Sequence, residues 1–195
     1  YRLAFSGRAN HAGTTPMAAR RDAGLGAAGF ILAARALVME AFPGCVANVG
    51  MLRLDPGAFN IIPGRAELAL ECRAADANTL ERLQARLLES AAQEAARYGL
   101  ALEVTPVGRD APAPMSQPVQ QAILSAAADL GLTTQSMPSG AGHDAQNLAM
   151  VCPTGMIFIP SVGGISHSPQ ETSRWDDCLN GANVLLGAAL RLALG

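Results

Sequence analysis

The chain has three histidines, His11, His143 and His167, whose imidazoles can ligate a metal or donate to a substrate oxygen. Each sits in a stretch of small, hydroxylic or amide residues. His167 lies in Gly163-Gly-Ile-Ser-His-Ser-Pro-Gln-Glu171, His11 in Gly7-Arg-Ala-Asn-His-Ala-Gly-Thr-Thr-Pro-Met17, and His143 in Ser139-Gly-Ala-Gly-His-Asp-Ala145. Such composition keeps the chain out of helix and strand, where an imidazole is free to be aimed. Spacing alone leaves two readings for His167, a metal ligand or a turn cap, and puts the turn cap ahead. His11, beside Asn10 and Thr14, is open in the same way. The run Gly140-Ala141-Gly142 could cradle an anion with its backbone. It has neither the Lys-Ser/Thr of a phosphate loop nor a dinucleotide fingerprint. A serine triad is disfavoured, because no Gly-x-Ser-x-Gly elbow occurs and His143 and Asp144 are adjacent.

Together and in this order, the three stretches resemble the M20-type zinc amidohydrolases. The likeness is to their hydantoinase/carbamoylase branch: N-carbamoyl-L-amino-acid hydrolases, β-ureidopropionases and allantoate amidohydrolases. The resemblance implies that His167 is one ligand of a site for two divalent ions, zinc or manganese, with Glu171 behind it. It implies that His11 stabilises the oxyanion of a tetrahedral intermediate, reaching across a homodimer. Asn60 and Arg73 would hold the carboxylate of a small substrate, as a guanidinium does through two parallel hydrogen bonds. Gly140, Ala141 and Gly142 would line the substrate pocket, supported by His143 and Asp144. The other ligands and the catalytic glutamate would precede Tyr1, since a catalytic zinc needs about three protein ligands. On its own the chain is then expected to be inert. The implied reaction is hydrolysis of an N-carbamoyl-L-amino acid, with allantoate as the alternative substrate. A competing class is a non-catalytic dimerisation module.

The elements that must position these residues follow from pattern. Residues 1–9 alternate as a strand, Thr15 and Pro16 suit the start of a helix, and apolar residues from Leu25 to Leu37 keep helical spacing up to Pro43-Gly44. Strands are expected over 45–54 and 66–74, a helix over 79–98 and a strand over 100–107. This order is the βαββαβ, ferredoxin-like pattern. A proline-rich run, 110–118, reads as a linker. The fold class is therefore α/β, a ferredoxin-like lid/dimerisation domain over 1–111 followed, over 112–195, by the C-terminal portion of an α/β zinc-hydrolase domain. In that portion helices are expected over 118–130, 144–150 and 175–194, and strands over 133–137 and 156–160.

Composition narrows the rest. Half the residues are apolar, 15% are charged and the net charge is −2, so the basic footprint of a nucleic-acid binder is missing. Cys45, Cys72, Cys152 and Cys178 are far apart among apolar neighbours and read as reduced core thiols of a cytoplasmic protein. Apolar stretches such as 23–38 look too short or too interrupted to span a bilayer. The opening at Tyr1, straight into a strand pattern, suggests a piece of a longer chain.

Overall fold

The structure, a computed structural model, describes residues 1–194. It divides into two compact units, Tyr1–Pro112 and Ala113–Gly195. In the first unit the elements run β1 (Arg2–Ser6), β2 (Asn10–His11), α1 (Ala23–Ala41), β3 (Val46–Asp55), β4 (Ile61–Ile62), β5 (Arg65–Arg73), α2 (Ala77–Arg97) and β6 (Ala101–Thr105). Four strands form one sheet in the order β3-β5-β1-β6, every neighbouring pair antiparallel. β2 and β4 form a separate two-stranded ribbon.

Alternation along the strands explains why this sheet has one dry face. Leu3 and Phe5 on β1 and Ala66, Leu68 and Leu70 on β5 are buried, while Arg2, Arg65 and Glu67 between them stay on the open face. α1 contributes Ala23, Ala27, Phe30, Ala34 and Val38, and α2 contributes Leu83, Leu87, Ala91 and Ala95, all to the same core. Those spacings of three and four residues put one stripe of each helix against the sheet. Gly26 lets α1 come close, because a Cβ there would stand 2.4 Å from Leu100 Cδ1.

Helix α1 starts later than its sequence suggests. The Thr15 hydroxyl donates to His11 O at 2.8 Å, so it caps no helix, and only a three-residue turn, Met17–Ala19, follows Pro16. Asp22 is the N-cap, accepting from Gly24 N at 2.9 Å. By length and composition α1 is also long and apolar enough to cross a membrane, contrary to the sequence-based expectation. One arginine among small apolar residues does not break the run. Its inner face, however, is the floor of this core.

The second unit is α3 (Gln117–Asp129), α4 (Asp144–Leu148) and α5 (Trp175–Leu194). Its core is small: Ala126 and Ala127 from α3 meet Val184 and Ala188 from α5. Residues 133–137 and 156–160 form no strand. A strand needs a ladder partner for its N–H and C=O groups, and no other strand lies in this unit among the described residues. Apolar side chains consequently stay in the open, Trp175 at 80% and Phe158 at 51%. Cys152 is exposed too, in the turn after α4, where no element covers it; Cys45, Cys72 and Cys178 are half-buried, and all four are free thiols.

Asp76 caps α2, its carboxylate accepting from Thr79 N at 2.8 Å. That main-chain hydrogen bond, then the Thr79 hydroxyl, hold its pKa below the usual carboxylate value. A lowered folded pKa gives stability that is complete above the unfolded value and is lost as pH falls through the folded one. Asp76→Ala should therefore lower the melting temperature at neutral pH, with the gap from wild type closing in acid. Thermal melts across that range check it, and a gap independent of pH would refute the capping account.

Candidate functional site

The His11 loop is built on the ribbon. His11 pairs with Ile61 and Asn10 with Ile62, and Ile62 is only 2% exposed, so its side chain anchors the ribbon. Ala12 N donates to Asn60 O at 2.9 Å. Two residues far apart in sequence, His11 and Asn60, are thereby neighbours, both exposed. The ring is gripped from one side: Gly13 N and Thr14 N donate to Nδ1 at 3.0 and 3.2 Å. Asn10 acts on the backbone, its Oδ1 accepting from His11 N at 2.9 Å. Thr14 acts through its main-chain amide.

Arg73 ends β5 opposite Val46, its Nε donating to Glu71 Oε1 at 2.9 Å. Asn60 lies beyond the other end, immediately before β4. Nine residues of strand separate the two ends, roughly 26 Å at about 3.3 Å per residue. Asn60 and Arg73 of one protomer therefore cannot share one carboxylate.

In the second unit the loop Gly140-Ala141-Gly142 is exposed, with Ser139 Oγ donating to Ala141 O at 2.8 Å. A Cβ built on Gly140 or Gly142 would meet nothing within 4 Å, and neither glycine has a positive φ. Their own chain does not demand glycine. His143 is the N-cap of α4, Nδ1 accepting from Ala145 N at 3.0 Å, and Asp144 opens the helix, where its charge suits the positive end.

His167 is exposed and has φ 56°, the one non-glycine residue with positive φ among the described residues. Glu171 Oε2 accepts from its main-chain N–H at 2.7 Å, so the carboxylate holds the backbone rather than the imidazole. Ser161 Oγ to Ile165 O at 2.9 Å and Val162 N to Thr172 O at 2.9 Å tie the rest of the loop. As a donor, His167 fits a metal as one ligand. Among the described residues no group of three or more His, Cys, Asp or Glu gathers. The Cys45 and Cys72 thiols are pushed up by burial, which keeps them protonated and poor nucleophiles.

One residue of the site escapes sequence reasoning. Arg20 donates through Nε to Thr15 O at 3.1 Å and through Nη2 to Ala12 O. An arginine after a short turn looks like surface charge, and nothing in its spacing marks it as a clamp.

The chain belongs to the M20/M25/M40 peptidase family, whose model matches residues 8–191. An N-carbamoyl-L-amino-acid amidohydrolase of Paenarthrobacter aurescens is 36% identical over 185 residues, 95% of this chain and 45% of that protein. A ureidoglycolate hydrolase of Oryza sativa is 37% identical over 195 residues, 99% of this chain and 40% of its own. A crystal structure of a hydantoinase/carbamoylase-family amidase from Burkholderia multivorans superposes with a TM-score of 0.92 at 37% identity, covering all of this chain and 47% of the other. The chain thus spans about half the length of the relatives it matches.

The left-handed backbone at His167 gives a stability test. That conformation costs an L-residue about 1–2 kcal/mol, and glycine avoids the cost. His167→Gly should be more stable than His167→Ala by about 1 kcal/mol. Denaturant titrations of the two variants measure it; equal midpoints would mean the loop relaxes in solution.

Proposed function

We propose that this chain carries the lid and the C-terminal part of the catalytic domain of a divalent-metal amidohydrolase. The whole protein would hydrolyse an N-carbamoyl-L-amino acid, consuming one water and releasing the amino acid, ammonia and carbon dioxide. The observation that carries this reading is the placement of two kinds of chemistry at opposite ends of one sheet. His11 and Asn60 stand together at one end, and Arg73 stands at the other.

A substrate with a carboxylate and a ureido carbonyl a few ångströms apart needs both kinds of group at once. Within one lid they are separated by the length of β5, so each site would take Arg73 from one lid and His11 with Asn60 from a second copy. The surface supports such an association. β3 is an edge strand, and exposed apolar residues run along α1 (Leu25, Leu32, Met39) and β3 (Val46, Met51). An unpaired edge beside apolar side chains is a natural site for strand addition.

Arg73 would bind the substrate carboxylate through two parallel hydrogen bonds, leaving its exposed pair with Glu71, which is worth little in water. His11 would donate to the carbonyl oxygen as negative charge develops there, an effect of about 2.7–4 kcal/mol per donor. Asn60 offers a second donor beside it. The backbone of Gly140 to Gly142, which carries only the Ala141 methyl, would line the other side of the substrate, with His143 and Asp144 fixing that loop as the start of α4. His167 would hold one of two ions, zinc or manganese, with ligands outside this chain. Bound there, the metal would supply an activated water.

The named relatives share substrate chemistry, a carbamoyl nitrogen near a carboxylate. N-carbamoyl-L-amino acids, ureidoglycolate and allantoate all have it, and the clamp proposed for Arg73 reads the carboxylate common to them. Ammonia release by the whole protein from each compound, with and without a chelator, tests the reading; turnover insensitive to chelator would defeat it.

Mixing two inactive variants of the whole protein, His11→Ala and Arg73→Ala, tests the shared site. In a random two-fold dimer, half the molecules are mixed and each has one intact site, so about a quarter of wild-type activity should return. No recovery on mixing would place both groups in one protomer's site.

A further inference from the structure

The grip on His11 has a chemical consequence beyond the proposed oxyanion role, on which it rests. Gly13 N and Thr14 N both point at Nδ1, at 3.0 and 3.2 Å. A ring nitrogen that faces two N–H donors must present its lone pair, and in the neutral imidazole the proton then sits on Nε2. Nε2 is the nitrogen left for a substrate. We propose that the Gly13 and Thr14 amides lock His11 as an Nε2–H donor, and that Arg20 is the positioning residue that keeps the lock closed.

Arg20 is half-buried and spans the loop. Its Nε donates to Thr15 O at 3.1 Å and its Nη2 to Ala12 O, the two carbonyls that bracket Gly13 and Thr14. Thr15 closes the same turn from the inside, with Oγ1 and N donating to His11 O at 2.8 and 3.2 Å. The guanidinium's rigid fork can hold two carbonyls at a fixed separation, whereas a lysine ammonium is a single point of donation on a flexible stem. Gly13 adds a steric condition. A Cβ there would stand 3.1 Å from His11 Cε1 and 3.5 Å from Nδ1, so a side chain at this position crowds the ring by a few tenths of an ångström against its place on the two amides.

The test reads the tautomer directly. In the chain labelled with ¹⁵N-histidine, two-bond ¹⁵N–¹H correlations distinguish a pyridine-type nitrogen from a pyrrole-type one. His143→Gln and His167→Gln assign the signals. Wild-type His11 should give pyridine-type Nδ1 and pyrrole-type Nε2. Arg20→Lys should give an average of both tautomers, and Gly13→Ala should move the pattern in the same direction.

In the whole protein Arg20→Lys should lower kcat about 100-fold with little change in KM, the size of effect expected when a catalytic group is misplaced by about 1 Å. An Nδ1–H tautomer in the wild type, or a wild-type pattern retained in Arg20→Lys, would overturn the proposal. Should Arg20→Lys fail to fold, Thr15→Val, which removes one tie at His11 O, is read by the same criteria. A locked ring combined with full activity of His11→Ala would sink the oxyanion role while supporting the lock. A ring that exchanges tautomers, with activity lost in His11→Ala, would do the reverse.

Discussion

A β-strand cannot bring its own two ends together, and that constraint governs what the first unit can do. β5 runs nine residues from Arg65 to Arg73, paired along its length with β3 on one side and with β1 over its first half on the other. At one end the β2–β4 ribbon, fixed by the buried Ile62 side chain, carries His11 and Asn60. At the other end stands Arg73. The core beneath, with Phe5, Phe30, Leu68 and Leu83 almost without exposure, makes this separation rigid, because a close-packed interior resists bending. The sheet therefore acts as a ruler that keeps His11 and Asn60 at one end and Arg73 at the other.

The second unit obeys a different constraint. Its two main helices bury four residues between them and leave leucines, Trp175 and Phe158 exposed. A core of that size removes little apolar area from water and contributes correspondingly little to the unit's stability. His167 belongs to that picture. Its left-handed backbone is held by Glu171 and by loop hydrogen bonds, and a strained non-glycine residue persists only where its surroundings fix it.

The sequence was legible wherever periodicity or a cap could speak for itself. α2 shows this for periodicity, with buried residues that recur at three and four, and its observed span, Ala77–Arg97, differs from the expected one by two residues or fewer at each end, while its cap, Asp76, is visible only in the structure. The strands of the sheet were legible for the same reason. The start of α1 was misread because Thr15 and Pro16 look like a cap and first turn, while the Thr15 hydroxyl is used by His11 O. Residues 156–160 were misread as a strand because apolar composition predicts a preference for extension, and a ladder depends on a neighbour that composition does not specify. The three histidine loops could be found from residue types. Their geometry could not, since the ribbon that joins His11 to Asn60 is two residues per strand and too short to leave a period.

The division of chemistry along the ruler also bears on how activity would be controlled. If each site draws Arg73 from one lid and His11 with Asn60 from another, an isolated protomer holds every lid group and still cannot use them together. Catalysis is then tied to association, and specific activity depends on protein concentration near the dissociation constant of the pair. Such coupling explains why the lid would present an apolar helix face and an unpaired strand edge rather than bury them. It also separates two kinds of damage. Loss of a side chain at one end of the sheet removes one function from a site. Loss of such an edge association would part the two ends in every site at once, although no residue at either end has changed.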